Sequence, residues 1–481
     1  MSVLIVILLV SVAMVVSYAV LRDQSTSVQI QSNADTLVLA RQAAMTGLTY
    51  GVRAMHAPDW TGVDTNTSRS LGAYERFTVS FTAGDASLGP GSPEYGDMPY
   101  RVTIHSIGEA DDPRGTGRTS TCTVHAVMRL IPRGLSNQPT DWSKMEGYTV
   151  YQTKREATEL DLPFQITGKV RFQSRVTLGM NYPDYYSAWY YYLLHLGRMP
   201  SQGHPDYRQF TGRVCFPSTE QGGTTNFLLA VQLLSCSATS MGIDEVASDW
   251  VKPANLSTYQ IYPGGPVYEI PQLGEVLSGI ILEPDPRTNP LGLFYRHGNS
   301  TLEGNVSVRG TLFCRDTVEI RGANVRFEPV EMPPLFGETK PVRMPALTGQ
   351  TVKVKPGSET EITGLVAVFD QFLIEKSPVT LPLKLVGRLV TRKLYIRERE
   401  PWNTVNWQQN FTSFSPYASS TYYPIWLASK GYDSAPRIKM MPDPELVQYH
   451  WTDCSGPIYV PHADDGGGLR WQMLEWNEGT R

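Results

Sequence analysis

The chain has 481 residues, 42 Lys+Arg against 46 Asp+Glu, and 41 Gly, 35 Pro and 25 Tyr. That length allows about three domains, and the mildly acidic balance offers no basic surface for nucleic acid. Five widely spaced cysteines (Cys122, Cys215, Cys236, Cys314, Cys454) form no CxxC, which excludes a zinc ribbon or thioredoxin-type motif and leaves one thiol outside any disulfide set.

The first predicted element is a helix. "SVLIVILLVSVAMVVSYAVL", Ser2 to Leu21, runs for twenty residues without a charge. As a helix it spans about 30 Å, the thickness of a bilayer hydrocarbon core. A secretory signal has a basic n-region and an apolar stretch of about 7–15 residues; this run is longer, with no Lys or Arg before it. "SYA", Ser17 to Ala19, would serve as a small-x-small cleavage site, so a discarded signal stays open as an alternative. Against it, Arg22 to Met55 contains no proline and no glycine before Gly47, so nothing stops the helix at the membrane. Leu37, Ala40, Ala44, Gly47, Leu48, Gly51 and Met55 recur at three- and four-residue steps, an apolar, small-residue stripe that another element can approach closely. The expectation is one helix over 1–56, roughly 80 Å long. Val3, Ile5, Leu8, Leu9, Val15 and Leu21 are its membrane or filament face. Leu37, Ala44, Gly47, Leu48 and Gly51 are its helix–sheet packing face.

Over these residues the chain resembles type IV pilin-like proteins. "SVLIVILLVSVAMVVSYAVLR" followed by "LARQAAMTGLTYGVRAM" is similar to their N-terminal helix, and Ala43 to Gly51 matches their usual "AAxxGLxYA". Within the family the likeness is to PilX-like minor pilins and the K-type pseudopilins of type II secretion, and it covers about the first 130 residues. Two features depart from the pattern. The family's short basic leader ending in glycine does not precede Met1, and the glutamate at the fifth position of major pilins is replaced by Ile5 or Val6, counting from Met1 or Ser2. That glutamate is thought to neutralise the N-terminal amine of a neighbouring subunit. A buried charge needs a partner, so its absence implies a tip or minor subunit.

Three alternating stretches follow: "ERFTVSFTA" (Glu75 to Ala83), "MPYRVTIHSI" (Met98 to Ile107) and "TSTCTVHAVMRLI" (Thr119 to Ile131). Phe77, Val79 and Phe81; Tyr100, Val102 and Ile104; and Cys122, Val124, Ala126, Met128 and Leu130 form their apolar faces. A period of two predicts an antiparallel sheet covered on one side, with the helix stripe as cover. His105 and His125 fall on the opposite face as neighbours, and two histidines alone make a poor metal site.

Next comes an internal repeat: "ITGKVRFQSRVTL" (Ile166 to Leu178), "LEGNVSVRGTLFC" (Leu302 to Cys314) and "ITGLVAVFDQFLI" (Ile362 to Ile374). "LVGRLVTRKLYI" (Leu385 to Ile396) is a degraded copy, one residue short in its middle. Glycine at a fixed offset among short alternating strands is a solenoid signature, and a parallel β-helix is the expected form. Its core residues would be Val170, Phe172, Val306, Val308, Val366 and Val368, with Cys314 a small inward residue. The 123 residues between Leu178 and Leu302 predict a large insertion in one coil. It contains an aromatic-rich helix at Asn181 to Met199, with six tyrosines and His195 read as packed, and "NFLLAVQLLS" (Asn226 to Ser235), readable as helix or strand.

After Glu400 the period disappears, as in a cap that seals a solenoid end. "HADDGGG", His462 to Gly468, reads as a hairpin turn, the alternative being a cation or water site at Asp464 and Asp465. No nucleophile elbow, phosphate loop, HExxH or zinc-spaced set is present. The outward positions of the repeat do not line up carboxylates.

The sequence reading is therefore mainly β with a long N-terminal α-helix. The helix is 1–56, a pilin-like antiparallel sheet 57–135, the first β-helix strands 146–178, an insertion 179–300, the β-helix 301–400 and a cap 401–481. The expected function is a non-enzymatic structural subunit, minor or at the tip, of a type IV pilus or type II secretion pseudopilus. The alternative is a membrane-anchored adhesin or a carbohydrate-active β-helix, whose acting residues would converge from different coils. Expected partners are the membrane, other pilin or pseudopilin subunits, their assembly machinery and, for the alternative, a surface polysaccharide. No cofactor, metal or nucleic acid is expected. The expected location is the cytoplasmic membrane, single-pass, with the bulk extracytoplasmic and reaching the cell surface on filament assembly.

Overall fold

A computed structural model describes residues 2–115, 117–132, 141–156, 158–160, 164–173, 176–178, 224–227, 245–248, 252, 256–335, 337–376, 382–398, 438–445, 448–449 and 470–479. They fall into two compact units, one drawn from 1–131, 261–266 and 462–481, the other from 132–260 and 267–461.

The first unit begins with a single helix, Ser2–Met55. Its unbroken course follows from the sequence: no proline enters it, and its two glycines, Gly47 and Gly51, are held by packing in its last turns. Behind it lies a five-stranded antiparallel sheet of Asn66–Ser70, Glu75–Ala83, Arg101–Asp111, Thr119–Ile131 and Arg470–Gly479, in that spatial order. The three alternating stretches supply its middle. Phe77, Val79, Phe81, Val102, Ile104, Val124, Ala126 and Met128 are buried on the helix side.

The fifth strand corrects the expected domain boundaries. Arg470–Gly479 pairs with Thr119–Ile131, Trp476 opposite Ala126 and Asn477 opposite His125, so the end of the chain joins the first unit rather than a cap over 401–481. The strand satisfies the ladder that Thr119–Ile131 would otherwise leave as a free edge. Residues 261–266 belong here too: Val63 N–H donates to Gly264 O at 3.0 Å, and a side chain at Gly62 (φ +94°) would collide with Gly264 O. "HADDGGG", the aromatic segment 181–199, most of 226–235, and Cys215, Cys236 and Cys454 lie outside the described residues.

The second unit is a large sheet of 17 strands among the described residues, its pairings parallel apart from the antiparallel contact of Thr224–Phe227 with Phe164–Thr167. Apolar side chains align from strand to strand. One row runs Leu312, Leu347, Val366, Leu389, Val150 and Val170. A second runs Leu282, Val308, Phe327, Ile362, Leu385, Met440 and Ile166. A third contains Val352, Phe372 and Leu394. These residues form one buried core, together with Phe172, Val306, Val368 and Cys314. Burial pushes the Cys314 thiol up to about 11, as for an inert core cysteine.

Two corrections concern the order of this sheet. The strands do not begin again at 301: Val276–Leu277, Ile281–Leu282 and Leu293–Arg296 pair in parallel with Ser300–Leu302, Val306–Arg309 and Thr311–Ile320, so the expected insertion 179–300 contains sheet strands. Nor do Leu178 and Leu302 bracket one interrupted coil. Val176–Leu178 pairs with Thr158–Leu160, which in turn pairs with Leu383–Glu398, whereas Ser300–Leu302 lies in register with Val276–Leu277 and Thr311–Ile320. The long gap therefore separates strands that are not neighbours.

The repeat also changes phase. Ile166, Ile362 and Leu385 lie in one row, but its member in the second copy is Val308, not Leu302. The cause is local. Gly168, Gly304, Gly364 and Gly387 all have positive φ (+94°, +117°, +107°, +142°), and so does Gly310 (+145°). An aliphatic residue two before a left-handed glycine occurs at Leu302–Gly304 and again at Val308–Gly310, so the two bends share one signature. A Cβ on Gly387 would lie 2.1 Å from Gly364 O, which is why glycine stacks on glycine there.

Candidate membrane interface

The N-terminal helix divides by environment. Residues 3–31 are all exposed, including the six assigned to the membrane or filament face: Val3, Ile5, Leu8, Leu9, Val15 and Leu21, each 59 % exposed or more. The helix is long and apolar enough to cross a membrane, and none of its most apolar window is buried by the rest of the protein. Backbone groups in such a segment are satisfied within the helix, which is what a hydrocarbon environment requires. Ser11 adds to this by donating its hydroxyl to Ile7 O at 2.8 Å.

From Thr36 the same helix becomes a packing element. Thr36, Ala40, Ala43, Ala44, Gly47, Leu48, Gly51 and Met55 are buried against the sheet. Small residues on both sides set a close approach. A Cβ on Gly47 would fall 2.3 Å from Ser106 Oγ and 2.9 Å from the Phe77 ring; one on Gly51 would lie 2.9 Å from Ile104. On the strand, a Cβ on Gly108 would fall 2.1 Å from Ala40 O. Ser106 uses that proximity, its buried hydroxyl donating to Ala44 O at 2.7 Å.

Leu37 requires correction: it is 48 % exposed and lies off the packing face. Thr36, one helical turn before Ala40, takes the position, its hydroxyl 2.8 Å from Ser120 Oγ. Both positions fit a three- or four-residue step to Ala40, and the hydrophobic candidate was the misleading one. Ala44, Gly47, Leu48 and Gly51 are all at the contact.

Polar contacts fix the helix at its margins. Arg41 forms an ion pair with Glu478 at 2.9 Å, joining it to the C-terminal strand. His56 donates from Nδ1 to Val52 O at 2.8 Å and accepts the Trp471 amide at Nε2, 3.2 Å away. Trp471 in turn meets Trp60 and Tyr262 edge-on, ring centroids 5.6 and 5.2 Å apart. None of these partners was signalled by spacing, because each joins residues distant in the chain.

Beyond the helix, buried Arg101 ties the segment after Ala83 to the sheet through Asp85 (2.9 Å) and Glu94. Burial alone would raise the Asp85 carboxyl, but hydrogen bonds from the Ser87 hydroxyl and amide and from Arg101 hold it below its ordinary value. On the far face His105 and His125 are register partners with ring centroids 6.0 Å apart. Burial, then the neighbouring His125, lowers the His105 pKa, and Thr82 Oγ1 lies 3.1 Å from its Nε2. Among the described residues no group of three or more His, Cys, Asp or Glu is placed to hold a metal ion.

No protein-family model, curated protein or solved structure matches the chain.

Proposed function

We propose that the protein is a membrane-anchored structural subunit of pilin type, minor or at the tip of a type IV pilus or type II secretion pseudopilus. The carrying observation is a single helix, Ser2–Met55, whose uncharged first part is exposed from residue 3 onward and whose second part packs a small-residue stripe on an antiparallel sheet. An exposed apolar rod of this length is incompatible with water, and a bilayer or a bundle of like helices would cover it. In this reading it anchors the subunit in the cytoplasmic membrane, with the bulk extracytoplasmic, and packs among other pilin or pseudopilin helices once the assembly machinery extracts it. The uncharged stretch from Ser2 to Leu21 contains no glutamate, which suits a subunit with no neighbour above it. The second unit is proposed to be a parallel β-helix carried by that subunit. Its aligned apolar rows and positive-φ glycines at successive bends support this form.

The test is assembly. Sheared filaments from cells expressing the full chain should contain it, and Leu9→Arg should remove it by placing an unpaired charge among apolar helices. Membrane level is measured alongside, since the same change impairs insertion. Wild-type protein that stays in the membrane and never enters filaments would overturn the pilin reading while leaving the anchor intact.

A further inference from the structure

We infer that the outward face of the second unit carries a binding groove for an acidic polysaccharide, one bearing carboxylates and free hydroxyls. The groove has a volume of about 440 Å³. Arg326, Glu361, Lys384 and Lys439 are register partners on four adjacent parallel strands, and all four line it. They alternate with the buried Val325, Phe327, Ile362, Leu383, Leu385, Ile438 and Met440, so strand pleating directs them away from the core. Asn324, Glu359 and Pro382 form a second row along the groove.

The charges are incompletely matched. Lys384 pairs with Glu361 at 2.6 Å, but Arg326 and Lys439 have no ion pair among the described residues. Several other outward cations on this unit do find acids, among them Arg309 with Glu283, Arg321 with Glu319 and Lys355 with Glu375. Three strand spacings separate the two unmatched cations, about 14 Å, the reach of a short oligosaccharide laid across the strands. Such a ligand would meet Lys439, the Lys384–Glu361 pair and Arg326 in turn. Guanidinium and ammonium groups bind carboxylates through charge-assisted hydrogen bonds, and Glu359, Glu361 and Asn324 accept from sugar hydroxyls. Among the described residues no aromatic side chain lines the groove, so it offers no platform on which bases could stack. This inference is independent of the pilin reading: the groove can bind whether or not the helix enters a filament.

The experiment measures binding of full-length protein in detergent to three probes: alginate, its propylene glycol ester, and single-stranded DNA. Alginate should bind, and both the neutral ester and the DNA should bind at least tenfold more weakly. The double variant Arg326→Gln/Lys439→Gln should weaken alginate binding at least tenfold with the thermal midpoint unchanged, because both side chains project from the sheet surface. Arg76→Gln, removing one cation from the other unit, should leave binding as it is. Absence of alginate binding, equal binding of the ester or DNA, or equal loss with Arg76→Gln would each overturn the assignment.

Discussion

Residues 3–31 of the N-terminal helix are exposed throughout, whereas from Thr36 onward burial recurs every three or four residues. Both halves share one unbroken backbone, so helix formation does not distinguish them. Side-chain size does. The uncharged stretch of the first half, Ser2 to Leu21, is dominated by Val, Leu, Ile and Met, which present apolar area on every side; the second half places Ala and Gly where the sheet approaches. Bulk suits a fluid apolar surrounding without fixed contours, and small residues suit a fixed partner whose backbone comes close.

Substitutions that exchange these properties should have opposite consequences in the two halves. Val12→Arg puts a charge at the centre of the uncharged stretch and should cost about 3 kcal/mol of membrane insertion, seen as a drop in membrane-integrated protein. In detergent its unfolding midpoint should match wild type. Gly47→Leu should do the reverse, leaving insertion intact while destabilising the first unit by about 2–3 kcal/mol, because its new atoms meet Ser106 and Phe77. Equal destabilisation by both changes would dissolve the distinction.

A finer test lies at the boundary. Thr36→Val should cost about 1 kcal/mol by leaving Ser120 without its partner, and Leu37→Ala less than about 0.5 kcal/mol, as for an exposed position. Denaturant midpoints of the two variants, compared directly, decide which residue begins the packed face.

The smallest effect concerns the far face of the sheet. His105 is held below its ordinary pKa of 6.5, by burial first and then by His125. The folded state therefore binds that proton less readily than the unfolded chain. Stability from this group is complete above pH 6.5 and declines as pH falls from there toward the lowered folded value. His105→Gln should flatten the decline in a midpoint-versus-pH series; an unchanged slope would assign it to other groups.

What could be read from the sequence follows from how local its cause is. Absence of proline fixed the helix's continuity, and period-two stretches of nine or more residues located the middle strands. Glycines at Gly168, Gly304, Gly364 and Gly387 reported backbone bends, since each has positive φ. Even the missing residue in Leu385 to Ile396 has a structural counterpart, a register irregularity between Val368 and Gln371. Pairing was harder. Val276–Leu277 and Ile281–Leu282 are too short to show alternation. Arg470–Gly479 reveals nothing locally of its partner more than 300 residues earlier. The phase of Leu302 to Cys314 was ambiguous because two bends six residues apart carry the same aliphatic-x-glycine signature. The row of Arg326, Lys384 and Lys439 likewise exists only once the strands are in register.

Retention of the apolar half of the helix is decided by fractionation with N-terminal sequencing of the mature protein. Full-length protein should be found in the membrane fraction, released by detergent and not by salt, with residues 2–21 still attached. A fragment beginning at Gln24 should be soluble and keep its β-structure. Mature protein found in the soluble fraction, with its N-terminus at Val20, would overturn the membrane anchor, because the exposed apolar half of the helix would then be a signal the protein discards.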